Sequence, residues 1–429
     1  DFYAGRERTV PRHVFYNRKA ALEKFPRLNP DVLFAALYYD GAMPSPERIA
    51  IELIRDAVAA NAEAVPLNYV RAVGADGQAV YLKDEIGGEM LEIRPRIVVN
   101  AAGPWIDRVN RCLGADTRFI GGTKGSHLVL DHPELRQAIG EHEFFFENDD
   151  GRIVLIYPLF DRVMIGTSDI RIENPDEAVI TEEEVDYFFS MIRRVFPDIE
   201  VNRSHIVFTF SGVRPLRRMQ TGTTGQISRD HKVQVLPAGE ALDVPVLSLV
   251  GGKWTSFRAF SEEAADAVLR FLGRERRLST RDLPIGGGKG WPADETARQT
   301  WLDRLVGRYG GERELVSRLL NRYGTLVENL LEQQGVNALA PLSSLPEYTR
   351  GEIAWLASSE DVQHLDDLLL RRTMIAMLGR LTPRVLDEVA AICAAECHWS
   401  AAVLAAEKTR LLSLLRARHR MDYNRYAPD

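Results

Sequence analysis

At 429 residues the chain is longer than a single hydrophobic core accommodates, so two or three domains are expected. A hydrophobic content of 45% with 27% charged residues excludes a disordered chain, and a formal net charge of -7 argues against a nucleic-acid-binding surface as the main function. No apolar run reaches the ~18 residues that span a bilayer, and Asp1 to Arg8 show no signal-peptide pattern.

Residues 1–30 alternate charges with prolines, and 33–39 read as a strand ending at Asp40-Gly41. Ser45 and Pro46 then open a helix with Ile49, Leu53, Ile54 and Val58 at helical spacing; Arg48 within it is read as structural. A hairpin follows, 69–73 with 79–83 around Ala75-Asp76-Gly77. Residues 97–105, IVVNAAGPW, are a buried strand that ends in small residues. Pro104 then leads into a helix over 105–113, in which Asp107 is read as structural.

From His127 onward strands dominate: 127–130, 143–146, 153–157, 163–167 and 205–211. One helix follows Thr181, where Thr181 and Glu184 form a capping box and Val185, Phe188, Phe189, Ile192 and Val195 make the apolar face. Antiparallel strands with one covering helix describe a cap domain on its own sheet. The strand through Thr209 ends in Arg214, and Ser228-Arg229-Asp230-His231 comes next.

Residues 247–256, LSLVGGKWTS, carry a short apolar strand through Gly251-Gly252-Lys253 into an amphipathic helix that Thr255 and Ser256 are placed to cap. This is either an ordinary strand-to-helix turn or a place to hold something flat and negatively charged. With the strand ending at Gly103, it suggests one crevice at the carboxyl ends of a doubly wound α/β sheet.

After Leu272 the pattern turns helical. Gly286-Gly-Gly-Lys-Gly290 lacks the Ser or Thr of a phosphate loop and reads as a flexible interdomain turn. Helices over 295–309, 312–323, 325–334, 361–378, 383–397 and 401–418 suggest a bundle, with starts at Thr382-Pro383 and Ser400. Cys112, Cys393 and Cys397 form no closely spaced disulfide framework and point to a reducing cytoplasm. Cys393, Cys397 and His398 would put two sulfurs on one helical face, but a structural zinc site wants four ligands, so small buried side chains and no metal are expected.

The motifs NAAGPW (100–105), KGSH (124–127), IGTSD (165–169), SGVRPL (211–216), SRDH (228–231) and GGKWTS (251–256), in that order, resemble those of the FAD-dependent glycerol-3-phosphate dehydrogenases, within the glycine- and D-amino-acid-oxidase-like flavoproteins. The likeness continues through 345–353 and 368–373, which resemble the family's helical C-terminal domain. One departure is large: family members open with a strand, a GxGxxG turn and a helix, and no GxGxxG occurs here. The chain is therefore expected to begin after that unit, which puts tight FAD binding by this chain in doubt.

The resemblance implies an α/β FAD-binding sheet without its N-terminal βαβ unit, an α+β antiparallel substrate cap and a C-terminal helical bundle. The start of the cap region is expected at 1–40, FAD-binding segments at 41–122 and 214–275, the cap at 123–213 and the helical domain at 276–429. It further implies FAD, glycerol 3-phosphate as substrate, a quinone acceptor and peripheral contact with the inner face of the cytoplasmic membrane. A homodimer is expected only from the prevalence of symmetric assemblies.

Oxidising a secondary alcohol requires loss of a hydroxyl proton and transfer of a hydride. A phosphate calls for cations making paired hydrogen bonds, for which arginine is suited. Arg214 and Arg229 are the candidates to bind substrate and assist catalysis; a buried salt bridge is the alternative, credible for Arg229 beside Asp230. His127 is the candidate base, or else a satisfied core histidine, with His231 the second choice and a substrate contact. Lys253 is expected in a closed-in position, stabilising negative charge on reduced flavin. Ala102, Gly103, Trp105, Gly251, Gly252, Lys253, Trp254, Thr255 and Ser256 are the expected flavin contacts, and Asp169 orients a neighbour. An oxidase that hands electrons to oxygen and a non-catalytic chain remain the alternatives.

Overall fold

The computed structural model describes residues 10–148, 151–218, 230–239, 242–335 and 338–421. The chain opens with β1 (Val14–Asn17), α1 (Arg18–Lys24) and β2 (Phe34–Leu37), the strands pairing antiparallel, and continues into α2 (Pro46–Ala60). A meander of β3 (Val70–Asp76), β4 (Ala79–Asp84) and β5 (Met90–Ile93) follows. Strand β6 (Val98–Asn100) then passes through a 3-10 turn at Gly103–Trp105 into α3 (Ile106–Cys112).

The central sheet is built from β7 (Thr123–Leu130), β8 (Phe144–Glu147), β9 (Ile153–Leu159), β10 (Arg162–Gly166), β11 (Ile170–Arg171) and β12 (Ile206–Arg214), with α4 (Pro133–Ile139) and α5 (Glu182–Val195) inserted. All its pairings are antiparallel, and β7 lies in the middle, between β12 and the β10–β11 side. Strands β13 (Lys232–Leu236) and β14 (Val246–Val250) return to β6: β14 pairs parallel with β6 and antiparallel with β13. From β14 the chain enters α6 (Phe257–Phe271).

The expected capping box forms at the start of α5. Thr181 Oγ1 accepts from the amide of Glu184, and Glu184 Oε2 accepts from the amide of Thr181 at 2.8 Å. One face of the central sheet, with Leu128, Leu130, Ile156 and Ile165, packs on Phe188, Met191 and Ile192 of α5. The other face, with Val129, Val207 and Phe208, packs into the helical region that follows. A cap sheet with a single covering helix was expected. Both faces are covered instead, which is why β7 reads as a nearly unbroken buried run and not as an alternating one.

The helical region holds α7 (Glu295–Tyr309), α8 (Arg313–Tyr323), α9 (Val327–Gln334), α10 (Arg350–Ser359), α11 (Pro383–Glu396) and α12 (Ala401–His419). Thr382 and Ser400 accept from the amides of Val385 and Val403, as the sequence implied. The continuous helix expected over 361–378 does not form. Asp361 has φ of 53°, and the Asp367 carboxylate accepts from the amides of Gln363 and His364, closing a local turn ahead of a π-helical turn at Asp367–Arg372. The helix lies earlier, at α10, capped by Thr349 with Glu352.

Gly286–Gly288 is a packed turn and not a flexible linker. The amides of Gly286 and Gly287 donate to Asp56 and Glu52 of α2, and both glycines are buried. Arg48, on the same helix, bonds Glu360 and Glu52, consistent with a structural role joining α2 to the helical region. Cys393 is buried in that region's core.

Candidate functional site

Strands β6 and β14 run side by side with Asn100 opposite Ser248. Three residues beyond each partner the chain turns on a glycine with positive φ, 58° at Gly103 and 80° at Gly251. Both crossings therefore leave the sheet at the same level, on strands roughly 4.8 Å apart. A buried network fixes them. Asn100 Nδ2 donates to Ile106 O and to Asn110 Oδ1 at 2.7 Å, and Asn110 Nδ2 donates to Ser248 Oγ at 3.0 Å. Asp107 accepts from Thr117 Oγ1 and from the amides of Phe119 and Ile120, tying α3 to the segment that leads into β7. That matches its structural reading.

A side chain at Gly103 would meet no atom within 4 Å, so the backbone there faces open space. Its neighbour Ala102 donates its amide to Asn100 Oδ1, and the half-exposed Trp105 donates Nε1 to Asp176 at 2.8 Å. At Gly251 a Cβ would stand 2.5 Å from the carbonyl oxygen of Asp230. His231 stacks on Phe260 with ring centroids 4.5 Å apart, and its Nε2 lies 3.3 Å from Glu263 of α6. It braces the Gly251–Gly252 turn against that helix.

The turn Trp254–Ser256 precedes α6, and Ser256 stands at the helix's N-cap position without capping it. Its hydroxyl turns back to the amide and carbonyl of Lys253, both at 3.2 Å. The expected cap from Thr255 and Ser256 is thus replaced by a closed turn. Lys253, Trp254 and Thr255 are exposed, where Lys253 was expected to be closed in.

The 3-10 turn at Gly103 packs against β12, the strand that ends in Arg214. Arg214 donates through Nη2 to Thr167 Oγ1 at 2.9 Å and through Nη1 to Ser168 O and Asp169 Oδ1, each at 3.3 Å. Asp169 thus orients a neighbour as expected. The guanidinium lies on Gly125, where a Cβ would stand 2.5 Å from Nη2.

His127, two residues along the same face of β7, lies between Gly166 and Phe210 in the sheet and stacks on the Phe210 ring. Its Nδ1 is enclosed and has no hydrogen-bond partner among the described residues. Burial, with the Arg214 charge second, pushes its pKa down to about 4, so the imidazole is neutral near pH 7. Arg229 lies outside the described residues.

The opposite face of these strand segments carries a cluster that the sequence reading did not single out. Glu184 accepts from Lys124 Nζ at 2.7 Å, Ser126 Oγ at 2.8 Å and Ser168 Oγ at 2.5 Å, besides the amide of Thr181. Burial opposes ionisation, but the bonds from Lys124, Ser168, Thr181 and Ser126 outweigh it and hold the carboxyl below its usual range. The capping box was the available signal, and it accounts for one Glu184 oxygen only.

Two hollows lie away from Arg214. One of about 400 Å³ runs along Val98–Ala102 and is lined by Ala72, Val80 and Leu82. A more open one of about 860 Å³ lies at the 289–297 segment, where Lys289 pairs with Asp56 and Arg304 with Glu328. Its charges are satisfied within the protein. No group of three or more metal-ligating side chains occurs among the described residues.

Residues 2–239 match the family described as FAD dependent oxidoreductase, and 278–404 match the C-terminal domain of alpha-glycerophosphate oxidase. The glycerol-3-phosphate dehydrogenase of Synechocystis sp. is 29% identical over 400 residues, covering 87% of this chain and 69% of that protein. A glycerol-3-phosphate dehydrogenase of Pseudomonas aeruginosa is 33% identical over 300 residues, covering 68% of this chain and 56% of that protein. The chain thus spans little more than half to about two thirds of the length of these relatives. The structure of the Bacillus halodurans glycerol-3-phosphate dehydrogenase complexed with FAD superposes with a TM-score of 0.75 at 23% identity, over 94% of this chain and 79% of that one. The fold is therefore that of an FAD-binding α/β region with an antiparallel sheet and a helical C-terminal region.

Proposed function

The chain belongs to the family of FAD-dependent oxidoreductases, and from that premise we propose that it serves the oxidation of sn-glycerol 3-phosphate to dihydroxyacetone phosphate with electrons passed to a quinone. The observation that carries this reading is the pairing, on one face of β7, of an anchored arginine with a neutral histidine. The names of the relatives, glycerol-3-phosphate dehydrogenases, point to the same substrate.

FAD, when bound, would supply the acceptor for the hydride that leaves the carbon bearing the hydroxyl. The residues present fit such a group: Gly103 offers bare backbone facing open space, and Gly251 turns beside it with positive φ. Ala102, Gly103 and Trp105 would hold one side of it. Gly251, Gly252 and Lys253, with the Trp254–Ser256 turn, would hold the other, where amides and the Lys253 charge favour an anion.

Arg214 binds the substrate phosphate with the geometry a guanidinium offers to oxyanions. Thr167, Ser168 and Asp169 fix its direction beforehand, so less rotamer entropy is lost on binding. His127 takes the hydroxyl proton as the carbon gives up its hydride: the imidazole is neutral at pH 7, and the imidazolium, disfavoured by burial and then by Arg214, passes the proton to water. His231 acts through the Gly251–Gly252 turn it braces, and Arg229 is a second candidate phosphate contact. Quinone as acceptor implies peripheral contact with the inner face of the cytoplasmic membrane; no helix among the described residues is long and apolar enough to cross one. A homodimer is the expected assembly.

Anaerobic addition of glycerol 3-phosphate to the flavin-loaded protein should bleach the flavin absorbance in a single turnover, and added quinone should restore it faster than oxygen does. Restoration by oxygen alone would make the protein an oxidase. Flavin that glycerol 3-phosphate leaves unbleached would overturn the reading.

A further inference from the structure

Lys124 and Glu184 form an ion pair whose side chains are only 6% and 4% exposed. A buried pair of this kind pays heavily for desolvation and contributes little net stability compared with apolar packing. Its bonds, however, go to particular places. Glu184 Oε1 takes the hydroxyls of Ser126, on β7, and of Ser168, in the turn after β10. Ser168 Oγ in turn accepts from the amide of Ser126 at 3.0 Å, and Ser126 Oγ lies 2.8 Å from Ser211 Oγ on β12. One carboxylate thus joins β7 to the β10–β11 turn, and Ser126 extends the connection to β12.

These residues alternate with those facing the candidate site. Gly125, beneath the Arg214 guanidinium, lies between Lys124 and Ser126. Thr167, which accepts from Arg214, precedes Ser168, and the Ser168 carbonyl itself accepts from Arg214. The guanidinium occupies the space that a side chain at Gly125 would fill and is bonded to Thr167 and Ser168, so its position follows that of β7 and of the turn after β10.

We propose that Glu184 is a positioning residue for substrate binding: its buried carboxylate clamps the strand and turn that aim Arg214 at the substrate phosphate. This rests on the assignment of glycerol 3-phosphate as substrate. Loss of its charge strands the Lys124 ammonium in the interior and shifts β7 at Gly125.

The test compares Glu184→Gln with wild type in flavin-loaded protein, reading KM and kcat for glycerol 3-phosphate, flavin content and thermal midpoint on one preparation. KM is expected to rise about tenfold or more with a smaller change in kcat and with flavin retained. Added to Arg214→Lys, the substitution should cost little further, because the two act through one guanidinium. An unchanged KM in folded, flavin-bearing protein would overturn the proposal and leave Glu184 a helix cap. If Glu184→Gln does not fold, Ser168→Ala removes a single leg of the clamp, and an unchanged KM there overturns it equally. Arg214→Ala separates the two levels: if it leaves KM unaltered, the substrate assignment itself fails, whereas a raised KM there with none in the Glu184 and Ser168 variants sinks only the clamp.

Discussion

His127 and Phe210 stack across neighbouring strands with centroids 4.6 Å apart and planes 8° from parallel. The contact, together with Gly166 packed against the ring's other edge, encloses an imidazole that burial and Arg214 keep neutral. Its folded pKa of about 4 lies below the ordinary 6.5. The unfolded chain therefore binds more protons between these values, so the stabilisation is complete above pH 6.5 and is lost as pH falls toward 4, by at most about 3 kcal/mol. Across that window the urea midpoint of wild type should fall relative to that of His127→Phe as pH drops; parallel curves would place His127 in a solvated site. As the proposed base, His127 should set an acidic limb of kcat/KM near pH 4.

Arg214→Ala removes a cation whose position is set by Thr167, Ser168 and Asp169. Affinity for glycerol 3-phosphate should weaken by roughly 2 to 5 kcal/mol, at least about thirtyfold. Titration of the flavin-loaded variant with substrate under anaerobic conditions measures this. A change below a factor of about three would take Arg214 out of the phosphate contact.

The two glycine-terminated crossings were legible in the sequence because small residues after a short apolar run have few other uses, and the structure sets Gly103 and Gly251 on adjacent strands. His127 and Arg214 were legible as residue types. Their closeness was not, since it depends on β7 pairing with β12 across more than 80 residues of chain. Glu184 was read as a cap because a capping box is a local signal, whereas its bonds to Ser126 and Ser168 are tertiary. The helix expected over 361–378 failed for a related reason: Asp366 bonds Arg410, Asp367 accepts from Tyr69 and the amide of Leu365 donates to Glu407, so partners distant in sequence override periodicity. Ser256 shows the reverse case, a good capping residue spent on its own turn.

Asp107 serves a segment and not a ligand. Its carboxylate takes three donors at 2.7 to 2.9 Å from Thr117, Phe119 and Ile120. Asp107→Ala leaves those donors unsatisfied and should lower unfolding stability by about 2 to 3 kcal/mol. Denaturant unfolding checks this, and a loss below about 0.5 kcal/mol would show that water replaces the carboxylate at no cost.

Gly103 and Gly251 separate two ways in which a glycine can serve a cofactor site. At Gly103 an added methyl meets nothing, and φ of 58° falls in the left-handed region that alanine enters at a cost of about 1 kcal/mol. Gly103→Ala should therefore fold with near wild-type unfolding curves yet bind FAD at least about tenfold more weakly, because the methyl occupies the space a ring would fill against the backbone. At Gly251 the methyl would strike the Asp230 carbonyl, so Gly251→Ala must shift the turn itself, losing stability and flavin together. Visible flavin absorbance per mole of protein after dialysis, set beside denaturant midpoints, distinguishes the two. Unchanged flavin affinity in a folded Gly103→Ala protein would move the cofactor away from the β6 crossing, and the open space at Gly103 would then have to be explained by something other than a bound ring.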